Sequence, residues 1–232
     1  MLAAFLRITQ VATLGPLRVT TDFITYFGYG SLVNRATRPA GEVSYRARLY
    51  GWRRVWGHRV LSAQQPSDEL ERSCCSLSVQ KLIDFDIANR KNMPFIDGVV
   101  VTIPITDLPT LDKRETGYDR HAIPSSHFDL PAECDVDEIH VYVSKPAHQG
   151  DATEHFPILQ SYIDCVLAGY CEVFEHQGMQ RFVDSTQGWA GVIENERDNP
   201  KYPRAVSLPA SKLAQFDSII ASHRLNIKKE SL

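Results

Sequence analysis

Apolar and polar positions alternate along the first part of the chain in a way that is typical of β-strands. Residues 45–60 place apolar residues between basic ones, with breaks near Gly51 and Gly57, and residues 95–103 are a β-branched run. Five segments therefore carry predicted strands: 23–29, 45–60 (one or two strands), 74–79, 95–103 and 138–144.

Helical periodicity dominates the end of the chain. From Pro157 to His176 the apolar residues recur at the spacing of a single helix face, and Gly178 is the predicted stop. A second helix is predicted over 207–224. A shorter helix is predicted earlier, where the sequence T-D-L-P-T-L-D-K-R-E begins at Thr106.

This order of elements, strands first and helices last, predicts an α+β fold. The helices should pack on a mixed or antiparallel sheet or on a small barrel. We expect an N-terminal extension at 1–22, a domain at 23–150, and a helical C-terminal extension at 151–232 that packs on the same domain. The polar segment 62–72, which contains Pro66, is a predicted loop.

Composition narrows the class of protein. The 232 residues are 43% hydrophobic and 23% charged, with a net charge of −3, which is ordinary for a soluble globular protein. The chain has no basic tract that would favour nucleic acid and no apolar run long enough for a transmembrane helix. We therefore expect a cytoplasmic protein without nucleic-acid or membrane partners.

The cysteine and histidine pattern gives no support for a metal or a cofactor. The five cysteines include no C-x-x-C and the eight histidines no H-x-x-x-H. The odd cysteine count suits neither a disulfide framework nor zinc. Reduced thiols and no metal site are the expectation.

One glycine-rich stretch, Y-F-G-Y-G-S-L at 26–32, follows the first predicted strand. A dinucleotide fingerprint would need a third glycine where Val33 stands, and a phosphate loop would need G-K-S/T. A hydrolase nucleophile elbow would need glycines two positions either side of Ser31. Two interpretations remain open: a nest of backbone amides for a small anion, or a bulged strand end with Ser31 capping the next turn.

A second stretch, L-D-K-R-E-T-G-Y-D-R at 111–120, places Glu115 at the end of the short predicted helix, just before Gly117. Taken alone, this is a charged helix end followed by a turn.

Together, in this order and at this spacing, the two stretches resemble the γ-glutamylcyclotransferase superfamily. The first is similar to the loop of the ChaC-like branch, and the second to both that branch and the AIG2-like branch. The residues L-Y-G-W-R-R at 49–54 and G-V-V at 98–100 also fit the pattern of this superfamily. The resemblance covers about residues 24–145.

The resemblance implies a mixed α/β fold with a cavity, and an enzyme that releases 5-oxoproline from a γ-glutamyl compound. It implies a small-molecule substrate and allows a homodimer. The substrate's own amine attacks its γ-carbonyl, so the resemblance implies that no covalent enzyme intermediate, metal or cofactor is needed. Glutathione, a γ-glutamyl amino acid and a γ-glutamyl amine all remain open as substrates. A binding module without turnover and a γ-glutamyl-removing biosynthetic step are the alternatives.

The resemblance also assigns roles to residues. Glu115 matches the catalytic glutamate, which would act as general acid and base. The segment 28–32 matches the substrate-binding loop, acting through backbone amides and the Ser31 hydroxyl. The expected substrate-binding residues are Tyr26, Gly28, Tyr29, Gly30, Ser31, Leu32, Tyr118 and Arg120, with the three tyrosines and Arg120 as alternative oxyanion donors.

The chain departs from the ChaC-like pattern after the loop, where Val33-Asn34-Arg35 follows. The C-terminal stretches 182–189 and 199–204 are interpreted as an elaboration that covers the cavity and selects the substrate. For Trp189 and Tyr202, ordinary packing is the alternative.

Overall fold

Six strands form the larger of two sheets in the computed structural model, which describes residues 23–39, 42–61, 73–82 and 87–230. The strands are β1 (Phe23–Gly28), β2 (Val43–Tyr50), β5 (Phe95–Pro104), β6 (Tyr118–Pro124), β7 (Phe128–Asp129) and β8 (Glu138–Ser144). Their order is β6-β8-β1-β5-β2-β7. The central strand β1 runs antiparallel to β5 and parallel to β8, so the sheet is mixed.

The second sheet has five strands. They are β3 (Trp52–Val60), β4 (Cys74–Lys81), β9 (Ile158–Leu159), β10 (Thr186–Gln187) and β11 (Ile193–Glu194), in the order β10-β3-β4-β9-β11. Strands β3 and β4 pair antiparallel, with a bulge between Trp56 and His58. The backbone N–H of Ser144 on β8 donates to Ser78 Oγ on β4 at 3.0 Å, which joins the two sheets.

In the described part of the chain, three α-helices accompany the sheets: α1 (Leu108–Arg114), α2 (Gln160–Asp184) and α3 (Ala210–Glu230). The first half of α2 is buried on all sides, because every residue from Gln160 to Leu167 is buried. It lies directly behind the turn that follows β1, where Asn34 Nδ2 donates to Cys165 O at 2.8 Å.

The predicted α+β class with a mixed sheet is confirmed. The predicted strands in 23–29, 45–60, 74–79, 95–103 and 138–144 are all present, and Gly51 separates two of them. The short helix and the last helix are present too. The expected segments 1–22 and 62–72 lie outside the described residues, and the three-part domain division stays a prediction.

The predicted end of the long helix was wrong. Helix α2 does not stop at Gly178 but continues to Asp184, with a break at Glu175, whose φ of 61° is the left-handed value. Gly178 instead allows close packing, because a Cβ there would lie 2.0 Å from Phe174 Cβ. Strand β6 and the four two-residue strands were not predicted.

Among the described residues, no helix is long and apolar enough to cross a membrane.

Candidate active site

The glycine-rich stretch forms the end of β1 and the tight turn after it. The N–H of Val33 donates to Gly30 O and the N–H of Asn34 to Ser31 O, both at 3.0 Å. The N–H groups of Ser31 and Leu32 begin this turn, so they have no acceptor within it. A Cβ on Gly30 would lie 2.9 Å from Tyr162 Oη. Glycine therefore keeps the turn open towards α2.

Glu115 is the residue that ends α1. Its N–H donates to Leu111 O at 3.0 Å, and its own carbonyl accepts from the Tyr118 N–H at 2.8 Å. This turn carries the chain from α1 into β6. Its Gly117 packs on His58, since a Cβ there would lie 2.6 Å from His58 Cε1. The Glu115 side chain is 16% exposed.

Arg114 connects Glu115 to the glycine-rich turn. Its Nε lies 3.1 Å from Glu115 Oε1. Its Nη1 donates to Thr37 O at 2.7 Å and its Nη2 to Ser31 Oγ at 3.3 Å. Ser31 and Arg114 are 83 positions apart in the sequence. One guanidinium thus holds the two predicted parts of the site together.

Two adjoining cavities meet at these residues. The outer cavity has a volume of about 680 Å³, within the range of small-molecule sites. The inner pocket is much smaller, about 30 Å³. Both are lined by Ser31, Glu115, Tyr118 and Tyr162; the inner pocket adds Phe27, Tyr29, Gly30, Leu32, Leu77 and Tyr142.

The environment of Glu115 disfavours its charged form. Burial raises the pKa of this carboxyl above its ordinary value, while the nearby guanidinium groups of Arg114 and Arg204 act in the opposite direction. A carboxyl with a raised pKa exchanges protons more readily near neutral pH than an exposed one. Such a group is suited to general acid–base chemistry.

Two of the tyrosines that were predicted as substrate-binding residues line the inner pocket, and their hydroxyls already donate hydrogen bonds to backbone carbonyls. Tyr29 Oη donates to Tyr142 O at 2.6 Å, and Tyr118 Oη donates to Leu77 O at 2.8 Å. Because a phenol has a single proton to donate, neither is free to donate to a ligand in this arrangement. These two residues shape the pocket wall.

A pair of stacked histidines lines the outer cavity. The His58 ring stacks on Tyr118 with a centroid distance of 3.8 Å and on His148 at 5.2 Å. Burial, and secondarily His148, lowers the pKa of His58 to about 4. His58 is therefore uncharged at neutral pH.

The structure brings together Tyr29, Gly30, Ser31, Leu32, Glu115 and Tyr118 as expected, but it does not bring three other predicted residues to the cavity lining. Arg120 pairs instead with Asp112 at 3.1 Å. Tyr26 is buried in the core. Gly28 allows Leu32 to approach, since a Cβ on it would lie 2.8 Å from Leu32 Cβ.

The segment 201–204 lines the outer cavity through Lys201, Tyr202, Pro203 and Arg204. Glu196 anchors this segment at the start of α2, where it accepts hydrogen bonds from the N–H of Ser161 at 3.0 Å and from the Ser161 hydroxyl. The Tyr202 N–H donates to the same Ser161 Oγ at 3.4 Å. The run N-P-K-Y-P-R was expected to belong to an elaboration that covers the cavity and selects the substrate, but no individual residue in it was assigned a role.

Three other lining residues, Tyr162, His58 and His148, had no signal in the sequence, and Arg114 lay in the stretch 111–120 without an assigned role. Arg114, Tyr162, His58 and His148 meet at the cavity only through the tertiary fold. Among the described residues, no three His, Cys, Asp or Glu side chains cluster as a metal site.

Comparisons with known proteins show the fold. No protein-family profile and no curated protein matches the chain. A solved gamma-glutamyl cyclotransferase superimposes with a TM-score of 0.50 at 15% identity, over 76% of this chain and 96% of its own. An uncharacterized protein from Homo sapiens gives a TM-score of 0.51 at 15% identity, over 77% and 97%. The chain thus has the fold of gamma-glutamyl cyclotransferases, a likeness that by itself does not fix an activity.

Proposed function

We propose that this protein is a γ-glutamyl cyclotransferase that releases 5-oxoproline from a small γ-glutamyl compound. One observation carries the proposal: Glu115 and the turn at Ser31 line the same cavity and are joined through Arg114. A largely buried carboxyl beside a loop that can present backbone amides is the arrangement that this reaction needs. On the loop sequence at 28–32, we place the chain nearest to the ChaC-like branch.

The α-carboxylate of the substrate would bind at the glycine-rich turn. Ser31 Oγ, the backbone of Ser31 and Leu32, and the Arg114 guanidinium lie on this side of the cavity. Hydrogen bonds from charged and amide donors to a carboxylate are strong and directional. Fixing this end of the substrate would leave its amine and γ-carbonyl facing Glu115.

Glu115 would then act first as a general base and afterwards as a general acid, using the same proton. As the substrate amine attacks the γ-carbonyl carbon, the carboxylate accepts the proton that the nitrogen loses. It gives this proton to the leaving nitrogen as the carbon–nitrogen bond breaks, so the carboxylate is regenerated. The amine is tethered to its target, so the ring closes without a covalent enzyme intermediate. General acid–base catalysis of this kind contributes roughly 10²- to 10⁴-fold.

The outer cavity would hold the leaving group. Arg204 is exposed at this cavity and is close enough to affect the pKa of Glu115. A cation here favours a leaving group that carries a carboxylate, such as an amino acid or a peptide, over a simple amine. Glutathione and γ-glutamyl amino acids are therefore the first substrates to test.

The test is an assay for 5-oxoproline with purified protein and a panel of glutathione, γ-glutamyl amino acids and γ-glutamyl amines. We expect equal amounts of 5-oxoproline and leaving amine from at least one of them. If no compound gives 5-oxoproline while some raise the melting temperature, the site binds its ligand without turnover and the proposed activity is wrong.

A further inference from the structure

The hydroxyl of Tyr202 is a buried polar group at the cavity that makes no hydrogen bond of ordinary geometry. Tyr202 lines the outer cavity. Its oxygen is shielded from solvent and makes no hydrogen bond of ordinary length and angle with any described residue, although the Ser31 hydroxyl lies near it. An unsatisfied buried hydroxyl is costly to a folded protein, and each such group calls for an explanation. A ligand that accepts a hydrogen bond from this hydroxyl would supply one.

The backbone and ring of Tyr202 are held firmly. Its N–H donates to Ser161 Oγ at 3.4 Å, and its ring packs edge-on against Tyr162 at a centroid distance of 4.9 Å. The neighbouring Lys201 Nζ pairs with Glu194 Oε1 at 2.6 Å. The hydroxyl therefore keeps its position without a hydrogen bond of its own, as a pre-organised donor does.

The surroundings of the hydroxyl indicate which part of a ligand it would meet. Burial, the largest effect, raises the pKa of the Tyr202 phenol, while the adjacent Ser31 hydroxyl and the charges of Arg114 and Arg204 lower it. The phenol thus keeps its proton at neutral pH. In a hydrogen bond with an anion it must therefore be the donor. Ser31 and Arg114 also form the side of the cavity where a carboxylate would be held.

We propose that Tyr202 is a substrate-binding residue whose hydroxyl donates a hydrogen bond to the α-carboxylate of the γ-glutamyl group. This inference rests on the proposed function. Tyr29 and Tyr118, the other phenols near the turn that the sequence singled out, already donate to backbone carbonyls. The C-terminal segment would in this way complete a carboxylate site that the turn after β1 begins.

Binding measurements test the proposal without turnover. The Glu115→Gln variant would be titrated with a γ-glutamyl amino acid by calorimetry, beside Glu115→Gln/Tyr202→Phe. Phenylalanine keeps the ring contact with Tyr162 and removes only the hydroxyl. We expect the dissociation constant to rise by about tenfold or more, the usual effect of losing a hydrogen bond to a charged group. Tyr45→Phe, on β2 and outside both cavity linings, is the matched control and should leave it unchanged.

A substrate analogue identifies the acceptor. With the α-carboxylate replaced by a carboxamide, we expect the Tyr202→Phe change to weaken binding by less than threefold. An equal loss for the carboxylate and the carboxamide would overturn the proposal. An unchanged dissociation constant for the carboxylate substrate would overturn it as well.

Kinetics of the single Tyr202→Phe variant separate binding from chemistry. A donor to the α-carboxylate binds the ground state and the transition state alike, so KM should rise while kcat stays within about twofold. A fall in kcat at constant KM would mean that the hydroxyl serves the reacting carbonyl instead, and the proposal would be wrong.

These outcomes remain distinct from failure of the proposed function. A wild-type protein that forms no 5-oxoproline refutes the activity, whereas the calorimetric comparison still tests the Tyr202 hydrogen bond. A wild-type protein that does turn over, with binding indifferent to Tyr202→Phe, refutes only the role of Tyr202.

Discussion

At the scale of single residues, burial and the charges around Glu115 set the pH range in which its carboxyl can transfer a proton. Burial raises the pKa of this carboxyl, and Arg114 and Arg204 lower it. Arg114 is also a structural link to Thr37 and Ser31, whereas Arg204 is exposed at the cavity. Arg204 is therefore the residue through which the pKa of Glu115 can be changed with little effect on the fold.

The Arg204→Gln variant should shift the acidic limb of the pH–rate profile to higher pH. Activity needs the Glu115 carboxylate, so it falls as pH decreases through the Glu115 pKa, and loss of a nearby cation raises that pKa further. The measurement is kcat/KM for one γ-glutamyl substrate between pH 4.5 and 9 in roughly half-unit steps. Arg53→Gln is the control, because Arg53 bonds Gln80 away from this cavity. A limb that stays in place or moves to lower pH would contradict this account.

Gly30 provides a second residue-scale prediction. A Cβ at this position would meet Tyr162 Oη at 2.9 Å and Leu77 Cδ1 at 3.4 Å. Gly30→Ala should therefore narrow the inner pocket and raise KM about tenfold, since a lost hydrogen-bonding contact to the carboxylate costs about that much. Adding Tyr162→Phe removes the closer contact and should restore most of the affinity. Failure of this second change to restore binding would show that the alanine acts elsewhere.

At the scale of elements, the break in α2 is the feature that sequence patterns missed. The apolar spacing predicted the helix correctly, but the predicted helix end at Gly178 is wrong. In the structure, Gly178 serves the approach of Phe174, while the left-handed backbone falls on Glu175. A glycine can be required because a side chain would clash there or because the backbone adopts a positive φ. The sequence alone does not distinguish these two reasons.

The Glu175→Gly variant should stabilise the protein. Glu175 has φ 61° and ψ −162°, a region that is almost exclusive to glycine and costs other residues about 1–3 kcal/mol. We expect the free energy of unfolding to rise by about 1 kcal/mol, part of the gain being offset by the greater freedom of glycine in the unfolded chain. Urea unfolding of both proteins measures this difference. A loss of stability would show that Glu175 makes contacts that outweigh its backbone strain.

The other strands that the sequence did not predict are either very short or largely exposed. Strands β7, β9, β10 and β11 have two residues each, too few to show any periodicity, and their pairing partners define them. Strand β6 carries mostly exposed side chains, so its pattern lacks a buried face. By contrast, β5 is almost wholly buried and rich in valine, and the sequence alone located it correctly.

At the scale of the whole molecule, the site is assembled from three regions of the chain. The turn at Ser31 and the helix end at Glu115 were predicted as a pair through resemblance to a family. The stretch 199–204 was expected to cover the cavity and to select the substrate, but no individual residue in it was assigned to the site. Patterns of residues can indicate which segments form helices and strands, but the meeting of Arg114 with Ser31 depends on the sheet order β8-β1-β5. This order follows from long-range packing, which no local pattern encodes.

Burial of Glu115 should also be visible in the stability of the whole protein. A carboxyl whose folded-state pKa is raised favours the folded state at low pH, and this contribution is lost as pH rises through the folded pKa. Glu115→Gln should therefore unfold at a higher temperature than the wild type at pH 8. The difference should vanish below the ordinary carboxyl pKa of 4.5, where both side chains are neutral. A Glu115→Gln protein that is less stable at pH 8 would mean that its pairing with Arg114 outweighs the burial cost.

The central claim is that Glu115 transfers the proton in a site that binds γ-glutamyl compounds. The most direct measurement is the single-turnover rate of 5-oxoproline formation by wild type and Glu115→Gln, with excess enzyme over substrate. Glu133→Gln, an exposed glutamate outside the cavity linings, serves as the control. We predict that Glu115→Gln binds the substrate but forms product at least about 100-fold more slowly, while the control matches the wild type. Product formation by Glu115→Gln at the wild-type rate would contradict the account.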